Sequence, residues 1–308
     1  MPAAPRAQPQ AFFDAEQWRA LTQRSSWRGL WLVVHCWGVI GAAMWAGATW
    51  PVLIPLAVVV IGTRQLGLFI LMHDAAHGLL HSDRRVNDFV GHWFCSSTLG
   101  RYRPYHLQHH RYVQQTEDPD LVLSAPFPVT RASFRRKAWR DLSGQTFYKQ
   151  RFGGLVARLR QGRQAGKPSA LAAGQELAKD GRFLLGNALG FAVFAAAGAG
   201  WVWLLLWLLP MVTWLPFVTR IRNIAEHALV AQNEADPLRQ ARTTQASGWE
   251  RALIAPYWVN YHLEHHLFTQ VPCWKLRQAH ALLQAQGLGA RMTTQPGYLP
   301  LLRLATAA

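Results

Sequence analysis

The chain predicts an all-α integral membrane fold: four transmembrane helices arranged as two hairpins, capped by cytoplasmic helices that carry clustered histidines. Three observations predict it. The 308 residues are 50% hydrophobic and only 16% charged, with 15 Trp. No Asp, Glu, Lys or Arg falls between Gly29 and Ile61, or between Phe183 and Thr219. Nine of the 13 histidines sit in four short, regularly spaced clusters.

Residues 1–26 form an N-terminal cytoplasmic segment, Pro- and Gln-rich and then amphipathic (Phe12, Phe13, Trp18, Leu21). It lacks the cleavable apolar core of a signal peptide. Residues 27–308 form a single membrane domain. Each uncharged tract is close to twice the roughly 17–20 residues that cross a bilayer core. Each breaks near its middle, at Gly47–Pro51 and in the small-residue run from Ala195 to Gly200. The predicted spans are therefore 29–48, 52–72, 183–199 and 201–220. Buried soluble helices would need a polar face for water, and these tracts have none. Trp27, Trp31, Trp45, Trp50, Trp201 and Trp203 fall near the span ends, where an aromatic belt sits. Lys and Arg avoid both hairpin tips and gather in the N-terminal segment, the 83–182 connection and the tail. The positive-inside rule makes those three parts cytoplasmic.

The histidine clusters all reach that one side. The first is His73-Asp-Ala-Ala-His77, on a helix that continues the second span as far as a break at Ser82-Asp83. The second is His106-Leu-Gln-His109-His110; Pro104, a good first-turn residue, opens a short helix over 104–114. Next along the chain comes a separate element, Asn223-Ile-Ala-Glu-His227, following the fourth span. The last, His262-Leu-Glu-His265-His266, lies on a short helix between Pro256 and Pro272, and a final helix runs from Cys273 to Gln286. Helical residues three and four apart share a face, so each cluster aims its imidazoles to one side. Neutral imidazole binds iron, zinc, copper and nickel. Nine are too many for one ion and suit two, so the pattern reads as a dinuclear metal site. His35, His81, His92 and His280 belong to no cluster.

Carboxylates lie beside these ligands: Asp74, Glu226, Glu264 and the Glu117-Asp-Pro-Asp120 run. Metal-bound histidines commonly donate their second ring N–H to such groups, which is the role expected of these acids. Asn223 shares a helix face with His227 and is expected to reach a metal through water. Arg64, inside the second span, is costly unless paired, and a structural pairing is expected. Cys36, Cys95 and Cys273 are too scattered for a disulfide framework or a four-cysteine iron–sulfur cluster. The net charge of +16 is concentrated between Arg131 and Arg182, with 13 Lys/Arg against three acids, interleaved with aromatic and aliphatic residues. That mixture points to anionic lipid or an acidic electron carrier, and not to nucleic acid.

The order H-x3-H, H-x2-HH, H-x2-HH around two apolar hairpins resembles the membrane fatty acid desaturase superfamily. Asn223-x3-His227 resembles the extra ligand element of acyl desaturases. The run Tyr257-Trp-Val-Asn-Tyr-His-Leu-Glu-His-His-Leu267, followed by Val271-Pro-Cys, resembles the third box of bacterial members. The similarity covers roughly residues 30–290. It implies two non-haem iron ions that use O2 as co-substrate to remove two hydrogens from an acyl chain. The implied ligands are His73, His77, His106, His109, His110, His227, His262, His265 and His266, with Asn223 acting through water. It also implies a bacterial inner-membrane location and a separate ferredoxin- or cytochrome-type electron donor. The first box has three residues between its histidines where some acyl-CoA desaturases have four, so bond position and acyl carrier stay open. Carotenoid ketolases and hydroxylases and alkyl hydroxylases share these boxes and are the nearest alternative. A zinc protease would have Glu where Asp74 stands. A metal transporter or bis-histidine haem protein would pair its ligands inside the bilayer.

Overall fold

A computed structural model describes residues 3–96, 98–164, 174 and 181–307. They divide into two compact units, one made of Met1–Val39, Thr63–Phe134 and Val218–Ala308, the other of Ile40–Gly62 and Arg135–Phe217. The described residues are mostly helical. The early helices are α1 (Ala15–Thr22), α2 (Arg28–Thr49), α3 (Ile54–His77), α4 (Arg84–Val90) and α5 (Leu99–Arg111). Strand β1 (Thr243–Thr244) pairs in parallel with β2 (Thr294–Gln295).

Among the described residues, three helices are long and apolar enough to cross a bilayer: Arg28–Thr49, Pro51–His77 and Gly200–His227. Only 28% and 33% of the most apolar stretches of the first and third are buried. The outward residues there include Trp31, Val34, Trp45, Leu204 and Leu205, a surface suited to lipid. The expected span 183–199 is a helix over Gly181–Ala196. Its 16 residues reach about 24 Å at the helical rise, short of a ~30 Å hydrocarbon core. Gly198, at φ +71, ends that helix in a left-handed turn that a side chain would resist.

Two boundaries differ from expectation for identifiable reasons. The second box lies on α5, which begins five residues before Pro104, so that proline is inside the helix and not in its first turn. Proline removes one N–H, and the preceding turn still holds because only one carbonyl loses its partner. The span expected to stop near 220 continues to His227, through a π-helical turn at Leu204–Leu208. Pro210 lies just beyond that turn; its missing N–H favours such a local widening.

The first unit is built around the continuation of α3. Arg64 is buried there and donates from Nη2 to the Ala252 carbonyl (2.6 Å), while the Thr63 hydroxyl donates to Leu253 O (2.9 Å). The guanidinium also lies 5.6 Å from the Tyr257 ring centre. This is the structural pairing expected of Arg64. Gly67 lets that tyrosine close in: a Cβ there would stand 2.7 Å from its ring. The N-terminal segment belongs to the same unit. Asp14 caps α1 by accepting from Gln17 N (2.8 Å), while the Gln17 side chain accepts from Asp14 N. Phe13 and Leu21 are buried, and Phe12, Phe13 and Trp18 surround Phe268 with ring centres 4.9–5.8 Å away.

Candidate metal centre

The nine cluster histidines converge in the first unit as two groups. His73, His77, His106, His110 and His265 form one; His109, His227, His262 and His266 form the other. Within each group every residue offers a ring nitrogen within 4.8 Å of all the others. Helical geometry explains the sorting. In each H-x2-HH box the i, i+4 pair projects together and the histidine between them turns aside. On α5 the pair His106/His110 enters the first group and His109 the second. On the helix His262–Leu267 the assignment is reversed: His262/His266 enter the second and His265 the first. Each H-x2-HH box therefore contributes to both groups, whereas His73 and His77 both enter the first.

Neighbouring Nε2 atoms stand close together: His77–His106 at 3.0 Å, His106–His110 at 2.9 Å and His110–His265 at 2.9 Å in the first group. In the second, His227–His262 is 2.8 Å, His262–His266 3.0 Å and His109–His266 3.3 Å. A neutral imidazole carries a single N–H, so such a chain of contacts cannot be satisfied by hydrogen bonds alone. Ligands at right angles on a metal–nitrogen bond of about 2.1 Å would stand roughly 3 Å apart, which is the spacing here. His73 Nε2 is buried with no hydrogen-bond partner. A metal would satisfy it.

The protonation states agree. Burial first, and then the like charge of neighbouring imidazoles, hold His106, His110, His262, His265 and His266 well below the ordinary histidine range. Their lone pairs are thus free at neutral pH. His109 differs: burial pulls it down, but the hydrogen bond and charge of Asp118 outweigh burial and raise it.

The supporting acids behave individually. Asp118 is buried and its Oδ1 lies 2.8 Å from His109 Nδ1, which turns His109 Nε2 towards its group. Asp118 is itself held by Gln114 N (2.9 Å) and Asp120 N (2.8 Å). Glu226 Oε1 stands 3.4 Å from His262 Nδ1 and accepts from Arg222 Nε at 2.6 Å. Asp74 Oδ1 is 3.6 Å from His73 Nδ1, too long for a hydrogen bond, and its other oxygen accepts from Cys273 N (3.0 Å). Glu264 departs from expectation. It lies inside a box, yet it is paired with His280 Nδ1 (2.6 Å) and the Thr243 hydroxyl, because its position on the helix turns it away from the ligand face. Glu117 pairs with the neighbouring Thr116 hydroxyl (2.8 Å).

Several site residues were not singled out from sequence. Tyr102 stacks on His106, with ring centres 5.0 Å apart and 10° between planes; it precedes His106 by one helical turn, a spacing that could have flagged it. Arg222 stands in the same relation to Glu226. Gln114, whose Nε2 donates to His227 O at 3.0 Å, carries no sequence signal for its role. The cysteines are free and buried, and burial raises the Cys95 and Cys273 thiols, so neither is a thiolate ligand.

Comparison with known proteins agrees with this geometry. The family described as "Fatty acid desaturase" matches residues 48–296, most of the chain and every histidine cluster. The chain belongs to the fatty acid desaturase family. Dihydrorhizobitoxine desaturase of Bradyrhizobium elkanii is 27% identical over 244 residues, covering 75% of this chain and 67% of that protein. An sn-1 acyl-lipid omega-3 desaturase (ferredoxin) of Synechocystis sp. is 24% identical, covering 73% of this chain and 66% of its own length. A beta-carotene ketolase of Paracoccus sp. is 23% identical, covering 79% and 87%. Membership implies non-haem iron, and the histidine groups are a donor set suited to it. Together with the three apolar helices, it makes this an integral membrane protein.

Proposed function

We propose that this protein desaturates a fatty acyl chain with O2 as co-substrate, at two iron ions held by the two histidine groups. The observation that carries the reading is the division of nine histidines into groups of five and four around separate centres, within a family of desaturases. An aliphatic C–H offers neither acidity nor polarity to a side chain, so a metal–oxygen reaction must supply the oxidising power.

The protein's own residues bind, orient and exclude. His73, His77, His106, His110 and His265 hold one iron. His109, His227, His262 and His266 hold the other, and Asn223, one turn before His227, completes the smaller set through a water. Asp118 and Glu226 fix the orientation of His109 and His262. Burial of most of these rings keeps bulk water from the centre.

Four spans in two hairpins, with Gly181–Ala196 as the shorter third, put both termini and the 83–182 connection in the cytoplasm of a bacterial inner membrane. The excess of Lys and Arg in those parts supports this. O2 reduction to water takes four electrons; the substrate supplies two, and a separate ferredoxin- or cytochrome-type donor supplies the others. The three cysteines of this chain are dispersed and buried, which supports a donor outside it.

The similarity to a beta-carotene ketolase favours a second reading, insertion of oxygen into a carotenoid at the same centre. Asn223-x3-His227 and the Tyr257–Leu267 run support desaturation over it. The test is mass spectrometry of lipids and carotenoids from cells with and without the protein, alongside a His265→Ala variant. A new double bond in an acyl chain that is lost in the variant is expected. An added oxygen, or a product unaffected by His265→Ala, refutes the assignment.

A further inference from the structure

The iron site, on the reading above, has to admit dioxygen and an acyl chain and to release water. One cavity outside the histidine cluster touches it. Its volume is about 140 Å³, and it is lined by His110 and His266, one from each histidine group, and by Ala7, Pro9 and Trp18 of the N-terminal segment. Organic ligands occupy pockets of about 300–1,000 Å³, so this space is too small for an acyl chain. Dioxygen and water are small enough for it.

The segment that forms its outer wall is fixed at both ends. Ala4 is buried, and its N–H donates to the carbonyl of Arg111, the residue after His110 (2.9 Å). Further along, Phe13 and Trp18 pack on Phe268, two residues after His266. The Gln286 side chain donates to the carbonyl of Phe12. The strap thus ties the end of the second box to the end of the third, and the cavity lies under it.

The geometry points to a port for small molecules: residues 4–18 form a strap that spans the second and third boxes, and the cavity beneath it is the route by which dioxygen reaches the irons and product water leaves, separate from the acyl route. The proposal rests on the metal-binding reading of the nine histidines.

Nitric oxide is a diatomic probe that binds reduced iron with a spectroscopic signature and needs no turnover. The iron-loaded, reduced full-length protein is mixed with it in a stopped-flow spectrometer, for the parent chain, Ala7→Trp and Phe13→Ala. Ala7 is only half-buried, so its replacement leaves the fold intact while an indole fills most of the cavity. Binding to Ala7→Trp should slow about tenfold, equivalent to ~1.4 kcal/mol on the barrier. Loosening the strap with Phe13→Ala should speed it. Equal rates in the parent chain and Ala7→Trp, at equal iron content, overturn the port. Should the parent chain take up no iron at all, the metal-binding reading fails first and the port falls with it.

Discussion

Replacing Asp118 should weaken metal binding at the second histidine group without touching a ligand. Asp118 Oδ1 accepts from His109 Nδ1 (2.8 Å) and Asp120 N (2.8 Å), and Oδ2 accepts from Gln114 N (2.9 Å). In Asp118→Asn, an amide oxygen at the first position keeps two of these bonds. The NH2 then meets the Gln114 N–H donor to donor, and the bond to that N–H, worth about 1 kcal/mol, is lost. The bond to His109 also loses its charge, a further ~1 kcal/mol on the difference between charged and neutral hydrogen bonds. The sum, about 2 kcal/mol, corresponds to roughly thirtyfold, inside the 10–100-fold range for removing such a partner from a metal-bound histidine. Asp118→Ala should cost more, because it strands two buried N–H groups at ~1–3 kcal/mol each. The assay is competition for ferrous iron between the protein and a chelator of known affinity, with circular dichroism to confirm the fold. Parent-like affinity in a folded Asp118→Ala protein would refute the orienting role of Asp118.

Further outcomes follow from the same arrangement. Asn223→Ala should keep most of its iron and lose most desaturation, whereas His227→Ala should lose iron as well; iron content and double-bond product measured side by side decide it, and normal desaturation by Asn223→Ala would make that residue structural. Reporter fusions after Gly47 or Gly198 should report the side opposite to a C-terminal fusion; a cytoplasmic signal from either site refutes the two-hairpin topology. Protein stripped of metal should melt at lower temperature at pH 5.5 than at pH 7.5. His106, His110, His262, His265 and His266 are held below their unfolded value of about 6.5, so their contribution is present above that pH and lost as pH falls towards the lowered values. His109, raised, contributes with the opposite sign, its share being lost as pH rises, and one group does not offset five. A melting temperature independent of pH over that interval contradicts the neutral buried cluster.

What the sequence determined by itself rests on short-range periodicity. Charge-free tracts mark apolar helices because no polar face is available, and the structure places helices over Arg28–Thr49, Pro51–His77 and Gly200–His227 accordingly. Spacings of three and four define helix faces, so all nine histidines were identifiable as one chemical unit before any contact was known. Which histidines of different boxes meet was not. That His109 turns aside from His106 and His110 follows from the helix, but that it meets His266 depends on how α5 packs on the helix His262–Leu267, a relation between segments more than 150 residues apart. The acids show the same limit. Asp118 reaches His109 because Gln114, at φ +59, turns the loop after α5 back on that helix, whereas Glu264, inside a box, is claimed by His280 and Thr243 from elsewhere in the chain. The N-terminal segment shows an amphipathic pattern in isolation, but only tertiary packing on Phe268 lays it across the second and third boxes. Helix faces follow from bond geometry within a few residues; partners across the chain follow from how those faces pack, which no local pattern encodes.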